Sequence, residues 1–256
     1  MKLSSLITLA FFCLIGTASL SAQTADSLKA DGSGKNLVKV NLTAIPLKNY
    51  SFQYERAIGK KISAVIGFRF MPESGLPFKS SFESIIDDED TWKYVDQLKT
   101  GNTAITPELR FYMGKSVFRG FYIAPFARFA SYSAELPSFE FDYEHPVEGS
   151  QTETIPLSGN LKTITGGLLF GAQWKLSKLV YLDWWILGPQ YGTAKGDISG
   201  KKQLSAEEQT ALREELEDLD IPLVDTKTTV DQNGAKVDFS GPWAGLRAGI
   251  SLGFRF

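Results

Sequence analysis

Beyond residue 35 the chain returns again and again to one pattern, apolar and polar residues in alternation, and that period of two limits it to β-strands. Val38, Val40, Leu42 and Ala44 take one face of the first such stretch, and Lys39, Asn41 and Thr43 take the other. Seven further segments follow, at 50–58, 61–71, 103–113, 120–133, 161–176, 179–191 and 240–256. Eight is the strand count of the smallest membrane barrels. After residue 22 no window offers about eighteen uncharged apolar residues, so any membrane span must be made of strands, and in hydrocarbon strands must close into a barrel.

A soluble barrel shows the same alternation turned inside out, so three other features decide the matter. The connections Gly59-Lys60, Gly114 to Arg119 and Ser177-Lys178 are short, whereas 72–102, 134–160 and 192–239 are long. Only Pro46 to Asn49 departs from this alternation, which matches tight periplasmic turns and long extracellular loops. The polar face is also the small-residue face, with Gly167, Gly171, Gly245, Gly249, Ser251 and Gly253. Glycine weakens a solvent-facing strand, but in a narrow lumen it makes room for large charged neighbours. Finally, Tyr50, Phe52, Phe70, Phe111, Trp174, Trp184 and Phe256 collect near strand ends on the apolar face, as interfacial girdles do. The expected fold is therefore all-β, an eight-stranded antiparallel up-and-down transmembrane barrel with short periplasmic turns and three long extracellular loops.

The ends agree with export. Met1-Lys2 precedes an apolar run from Leu6 to Ile15 and then small residues to Ala22, the layout of a secretory signal peptide. The expected organisation is a signal peptide at 1–22, a flexible leader at 23–35 and a barrel domain at 36–256. The single cysteine, Cys13, lies in the signal segment, so the rest of the chain forms neither a disulfide nor a thiolate metal site. A net charge of −2 argues against nucleic acid as a partner. The chain stops on an alternating strand ending in Phe256, which fits recognition by the outer-membrane barrel-assembly machinery through the last strand.

Four stretches carry a resemblance to a known family: Asn36-Leu37-Val38-Lys39-Val40-Asn41-Leu42, Tyr54-Glu55-Arg56-Ala57, Thr106-Pro107-Glu108-Leu109-Arg110-Phe111-Tyr112 and Asp183-Trp184-Trp185-Ile186-Leu187-Gly188-Pro189. They resemble small outer-membrane barrels of Bacteroidetes-type bacteria grouped as a domain of unknown function, DUF3575-like. The resemblance implies eight strands and an outer-membrane location. It implies no activity and no catalytic residues.

The register turns Lys39, Glu55, Arg69, Glu108, Arg110, Arg128, Asp183 and Arg247 toward the lumen. Such mixed charges pair in a narrow bore, since an unpaired buried ion costs about 3–5 kcal/mol. They read as a polar plug, with acid-base catalysis the weaker alternative. His145, the single histidine, lies in a long loop with Ser138, Ser150, Asp142 and Glu144 nearby in sequence, the ingredients of a lipid-modifying site without its geometry. Ser205 followed by Glu208 forms a capping box opening an amphipathic helix over roughly 205–219, whose stripe of Leu212, Leu216 and Leu219 needs cover from Ile221, Leu223 and Val224 or from a partner. A weaker helix is expected within Ser80 to Leu98; its Asp87-Asp88-Glu89-Asp90 run lacks the spacing of a calcium loop and reads as solvated.

Three functions fit. The leading one is a non-enzymatic outer-membrane barrel that is structural or presents extracellular loops to a partner or ligand. The others are a lipid-modifying enzyme using His145 and a soluble lipocalin-like binding barrel. No cofactor or metal is expected, and the surrounding partner is outer-membrane lipid.

Overall fold

The computed structural model describes residues 34–79, 83, 86, 88–217 and 222–256. The expected signal peptide, most of the leader, Leu219 and Ile221 lie outside the described residues.

Eight antiparallel strands close into a ring. They are β1 (Asn36–Asn41), β2 (Tyr50–Ala57), β3 (Ile62–Gly75), β4 (Lys99–Tyr112), β5 (Gly120–His145), β6 (Gly149–Lys175), β7 (Val180–Lys201) and β9 (Gly234–Arg255). Each pairs with its neighbour in sequence order, and β1 seals the ring against β9 from Leu37 opposite Arg255 to Asn41 opposite Ser251. Closure leaves no unpaired edge in the wall. The C-terminal residue takes part in it, because the amides of Asn36 and Phe256 each donate to the other's carbonyl at 3.1 and 3.0 Å. A further strand, β8 (Asp225–Asp231), pairs only with β9 and lies off the ring.

Two of the expected long loops are largely strand. β5 and β6 run as one hairpin to His145 and Gly149, and β7 and β9 pair out to Lys201 opposite Gly234. The reason is a reversal of polarity along the strands. On the lower part of β5, Phe121 and Phe129 point outward and Arg128 inward; beyond the bulge between Leu136 and Phe139, the buried face is Phe139 and Phe141 while Glu140 lies on the other. β9 does the same, with Leu246 and Leu252 outward below and Val237 buried between Lys236 and Asp238 above. An alternation that switches faces midway interrupts any single greasy-out pattern, so the sequence register ends too early.

The extended hairpins carry a core of their own. Helix α1 (Glu89–Gln97) and helix α2 (Ala206–Glu217) supply Tyr94, Leu212 and Leu216, which pack with Leu136, Phe139, Phe141, Ile155, Val230 and Val237. The capping box forms as expected: the Ser205 hydroxyl accepts from the Glu208 amide at 3.2 Å, and Glu208 accepts from the Ser205 amide at 2.6 Å. Leu212 and Leu216 of the stripe are covered by the strand extensions, whereas Leu223, expected as cover, is exposed. Lys202 ties this crown together through Glu153 at 2.6 Å and Glu208 at 3.3 Å. Burial alone would lower the pKa of Lys202, but these two carboxylates outweigh it and raise the value. The Lys202 partner likewise holds Glu153 below the ordinary carboxylate range.

Candidate functional site: the barrel lumen

The short turns hold the strand ends tightly, and one of them forms a floor. The connection between β4 and β5 carries Phe118 in a left-handed conformation, with φ of 64°, and inserts its ring fully buried into the barrel end. There it meets Tyr112 and Tyr181 edge-on, at ring separations of 6.4 and 6.2 Å. Leu37, Tyr122 and Leu169 complete this packed layer. Arg255 spans the rim by donating to the Gly34 carbonyl at 2.7 Å and to the Tyr181 hydroxyl at 2.8 Å.

Above the floor, period-two alternation on four strands converges Lys39, Glu55, Arg110 and Asp183, all with fully buried side chains. Lys39 Nζ lies 2.5 Å from both Glu55 and Asp183, and Arg110 Nη1 lies 2.7 Å from Asp183. Gln173 accepts from Lys39 and Arg110, and the Tyr112 hydroxyl donates to Glu55 at 2.6 Å. Asp183 also accepts from the Tyr122 hydroxyl at 2.8 Å and from the Trp185 indole at 3.2 Å. Arg110 stacks over the Tyr122 ring at 4.4 Å. The inward glycines make the room expected of them: a Cβ on Gly167 would stand 2.6 Å from the Phe126 ring.

Glu108 links this layer upward. It takes Arg110 at 3.1 Å on one oxygen and Arg247 at 2.7 Å on the other, where Gln53 also donates. Arg247 lies over Phe126 and Trp185, with its guanidinium carbon 4.5 and 5.1 Å from their centroids. Trp185 reaches this position through a bulge in β7, which shifts register against both β6 and β9. Arg128 and Arg69 stand higher. Arg128 touches Thr106 Oγ1 at 3.4 Å, and Arg69 is half-buried.

Of the eight residues expected in the lumen, Lys39, Glu55, Glu108, Arg110, Asp183 and Arg247 are brought together in one ion-pair network among the described residues, and Arg69 and Arg128 are not in it. Gln53, Tyr112, Gln173 and Trp185 were missed. The first three share strand parity with residues that were named, so parity alone could have found them; Phe118 and Trp185 depend on a turn and a bulge. Every carboxylate of the network is engaged by cations and by hydroxyl, amide or indole donors.

His145 ends β5, and its Nδ1 accepts from the amides of Val147 and Glu148 at 3.4 and 3.2 Å. It caps the hairpin turn. Asp142 accepts from Thr152 at 2.6 Å instead of orienting the imidazole. Asp88 caps α1 by accepting from the Asp90 amide, and Glu89 and Asp90 occupy the first helical turn, where the helix dipole favours them. Among the described residues no group of acidic or histidine side chains is arranged to hold a metal ion.

These features define a closed β-barrel with an apolar wall and a charged, floored lumen. The family described as "Protein of unknown function (DUF3575)" matches residues 8–197, and the chain belongs to that family. No curated protein matches the chain. Among solved structures, the N-terminal β-barrel domain of Pseudomonas aeruginosa OprF aligns at 6% identity over 87% of this chain and 98% of that one, with a TM-score of 0.25. The β domain of the Bordetella autotransporter BrkA aligns at 11% identity over 88% and 99%, with a TM-score of 0.21. At such scores neither likeness bears on the fold, which rests on the hydrogen-bonded ring itself.

Proposed function

We propose that this protein is a non-conducting, non-enzymatic barrel of the outer membrane that carries a folded crown on its extracellular side. The observation behind this reading is the polarity reversal along β5 and β9. Below it the wall exposes Val38, Phe52, Phe68, Ile105, Phe129, Leu168, Leu187, Leu246 and Leu252, and above it the outer face of the hairpin is mostly polar or charged, with Asp142, Glu144, Thr152, Thr154 and Ser158 exposed. Such a band around a polar interior suits lipid and would be an aggregation hazard in water. It argues against a lipocalin-like barrel, whose apolar residues face inward.

Export by an N-terminal signal, assembly through the strand ending at Phe256, and presentation of the crown to an extracellular ligand or protein belong to the same proposal. The floor and the ion-pair network support a closed bore. Planar-bilayer recording of the folded chain tests this: no steady single-channel current is expected, and porin-sized conductance would contradict it. Extraction only by detergent, with a gel-mobility shift on boiling, is the matching result for membrane insertion. A protein recovered soluble and heat-insensitive would overturn it.

A further inference from the structure

Charge is unevenly distributed along the bore. In its lower half Lys39 and Arg110 face Glu55 and Asp183, cation for carboxylate. Higher up, Arg69, Arg128 and Arg247 have, among the described residues, a single inward carboxylate between them, Glu108, and Arg110 draws on it too. Register brings the three together: Arg69 pairs opposite Ala104, which pairs opposite Ala130, one inward position above Arg128, and Arg247 lies over Phe126, one inward position below it. Arginine does not shed its proton in proteins, so this excess cannot be relieved by neutralisation.

Unused donors point the same way. Arg128 and Arg247 are 5% and 9% exposed, yet Arg128 Nε and Arg247 Nη1 have no hydrogen-bond partner. Arg69 makes no ion pair with any described residue. The hydroxyls of Thr106, which accepts from Arg128, and of Ser51, opposite Arg69 in the β2–β3 pairing, bring no negative charge. The inward residues at this level are small: Ala104 opposes both Arg69 and Ala130, and Gly245 opposes Gln190. Arg69, Tyr132 and Gln190 are all half-buried, so solvent reaches the upper lumen, whereas the floor is packed shut.

We propose that the upper lumen is a binding site for a small, doubly charged oxyanion of the phosphate class, held among Arg69, Arg128 and Arg247. Three guanidinium groups against one carboxylate leave two charges to be met, which a dianion meets. The planar forks of arginine match tetrahedral oxyanions through paired, charge-assisted hydrogen bonds. Neither chloride nor water offers several acceptors around one centre. The site goes beyond the closed-barrel reading and does not need it, since conductance tests the floor and anion titration tests the arginines.

The test is thermal unfolding of the full chain folded in detergent, with sodium phosphate, sulfate or chloride at equal ionic strength and at about pH 8, where phosphate is a dianion. Phosphate and sulfate should raise the midpoint by about 3 °C or more at saturation, and chloride should not. Arg69→Gln, Arg128→Gln and the double substitution should weaken phosphate affinity by about tenfold or more each, read by calorimetric titration. Arg69→Gln removes a side chain that holds no ion pair, so it should fold even where Arg128→Gln does not. No oxyanion-specific shift in the parent protein would overturn the proposal. So would an equal phosphate response in Arg69→Gln.

Discussion

Arg110 and Arg128 stand on adjacent strands of the same barrel, both facing inward, and their surroundings are opposite. Arg110 touches Glu55, Glu108, Asp183, Gln53 and Gln173 and lies on the Tyr122 ring. Arg128 makes a long hydrogen bond to Thr106, lies near the Tyr132 hydroxyl and has a buried Nε without a partner. The lower lumen carries its counterions within the chain, while among the described residues the upper lumen holds more guanidinium groups than carboxylates. A dry region must be internally neutral, because an unpaired ion there is costly; a wet region has no such requirement.

Breaking the lower region should therefore cost most. Asp183→Ala strips partners from Lys39, Arg110, Tyr122 and Trp185 at once, and a loss of about 3–5 kcal/mol is expected in chemical unfolding of the detergent-folded barrel. A loss under about 1 kcal/mol would mean that water enters the lower lumen. Glu108→Ala, at the junction, should cost less, about 2–3 kcal/mol, since Arg110 keeps Glu55 and Asp183. It should also increase the stabilisation given by phosphate, because Arg247 loses its carboxylate. Arg69→Gln should change stability by less than about 1 kcal/mol in phosphate-free buffer, because it removes a like charge and no pair.

The crown offers a contrast in pH. Glu153 titrates below the ordinary carboxylate range because Lys202 and the Thr154 amide hydrogen-bond it, so its contribution is complete above that range and is lost as pH falls through the lowered value. Hydrogen exchange should then show the Leu204 and Lys202 amides, which bond to Gln232 and Asn233, losing protection in acid before the ring amides do. Simultaneous loss in crown and ring would mean that they unfold as one unit.

Much of the ring was legible in the sequence, because a lipid-facing wall and a narrow lumen impose period two with large apolar residues on one side and glycines and charges on the other. The eight inward charged residues follow from that parity. What parity does not carry is distance: it places Arg69 and Arg110 on the same face without showing that one is paired and the other is not. Phe118 was unreadable because its burial depends on a left-handed turn residue folding back into the barrel end. Trp185 was obscured by the run Trp184-Trp185-Ile186-Leu187, where a bulge breaks the alternation. The crown strands escaped notice for a different reason, since their pattern is that of a water-soluble sheet joined directly to the inverse pattern of the wall.

The division of the lumen is tested most directly by thiol accessibility. With Cys13 replaced, the chain offers a background without cysteine. Ser251→Cys places a thiol at a buried lower position level with Asp183, and Gln190→Cys places one in the half-buried upper lumen. A charged, water-soluble methanethiosulfonate reagent applied to the folded protein should label Gln190→Cys readily and leave Ser251→Cys unmodified until the barrel is boiled. Equal labelling of the two positions in the folded state would contradict a sealed, internally neutral lower lumen beneath an open cationic one.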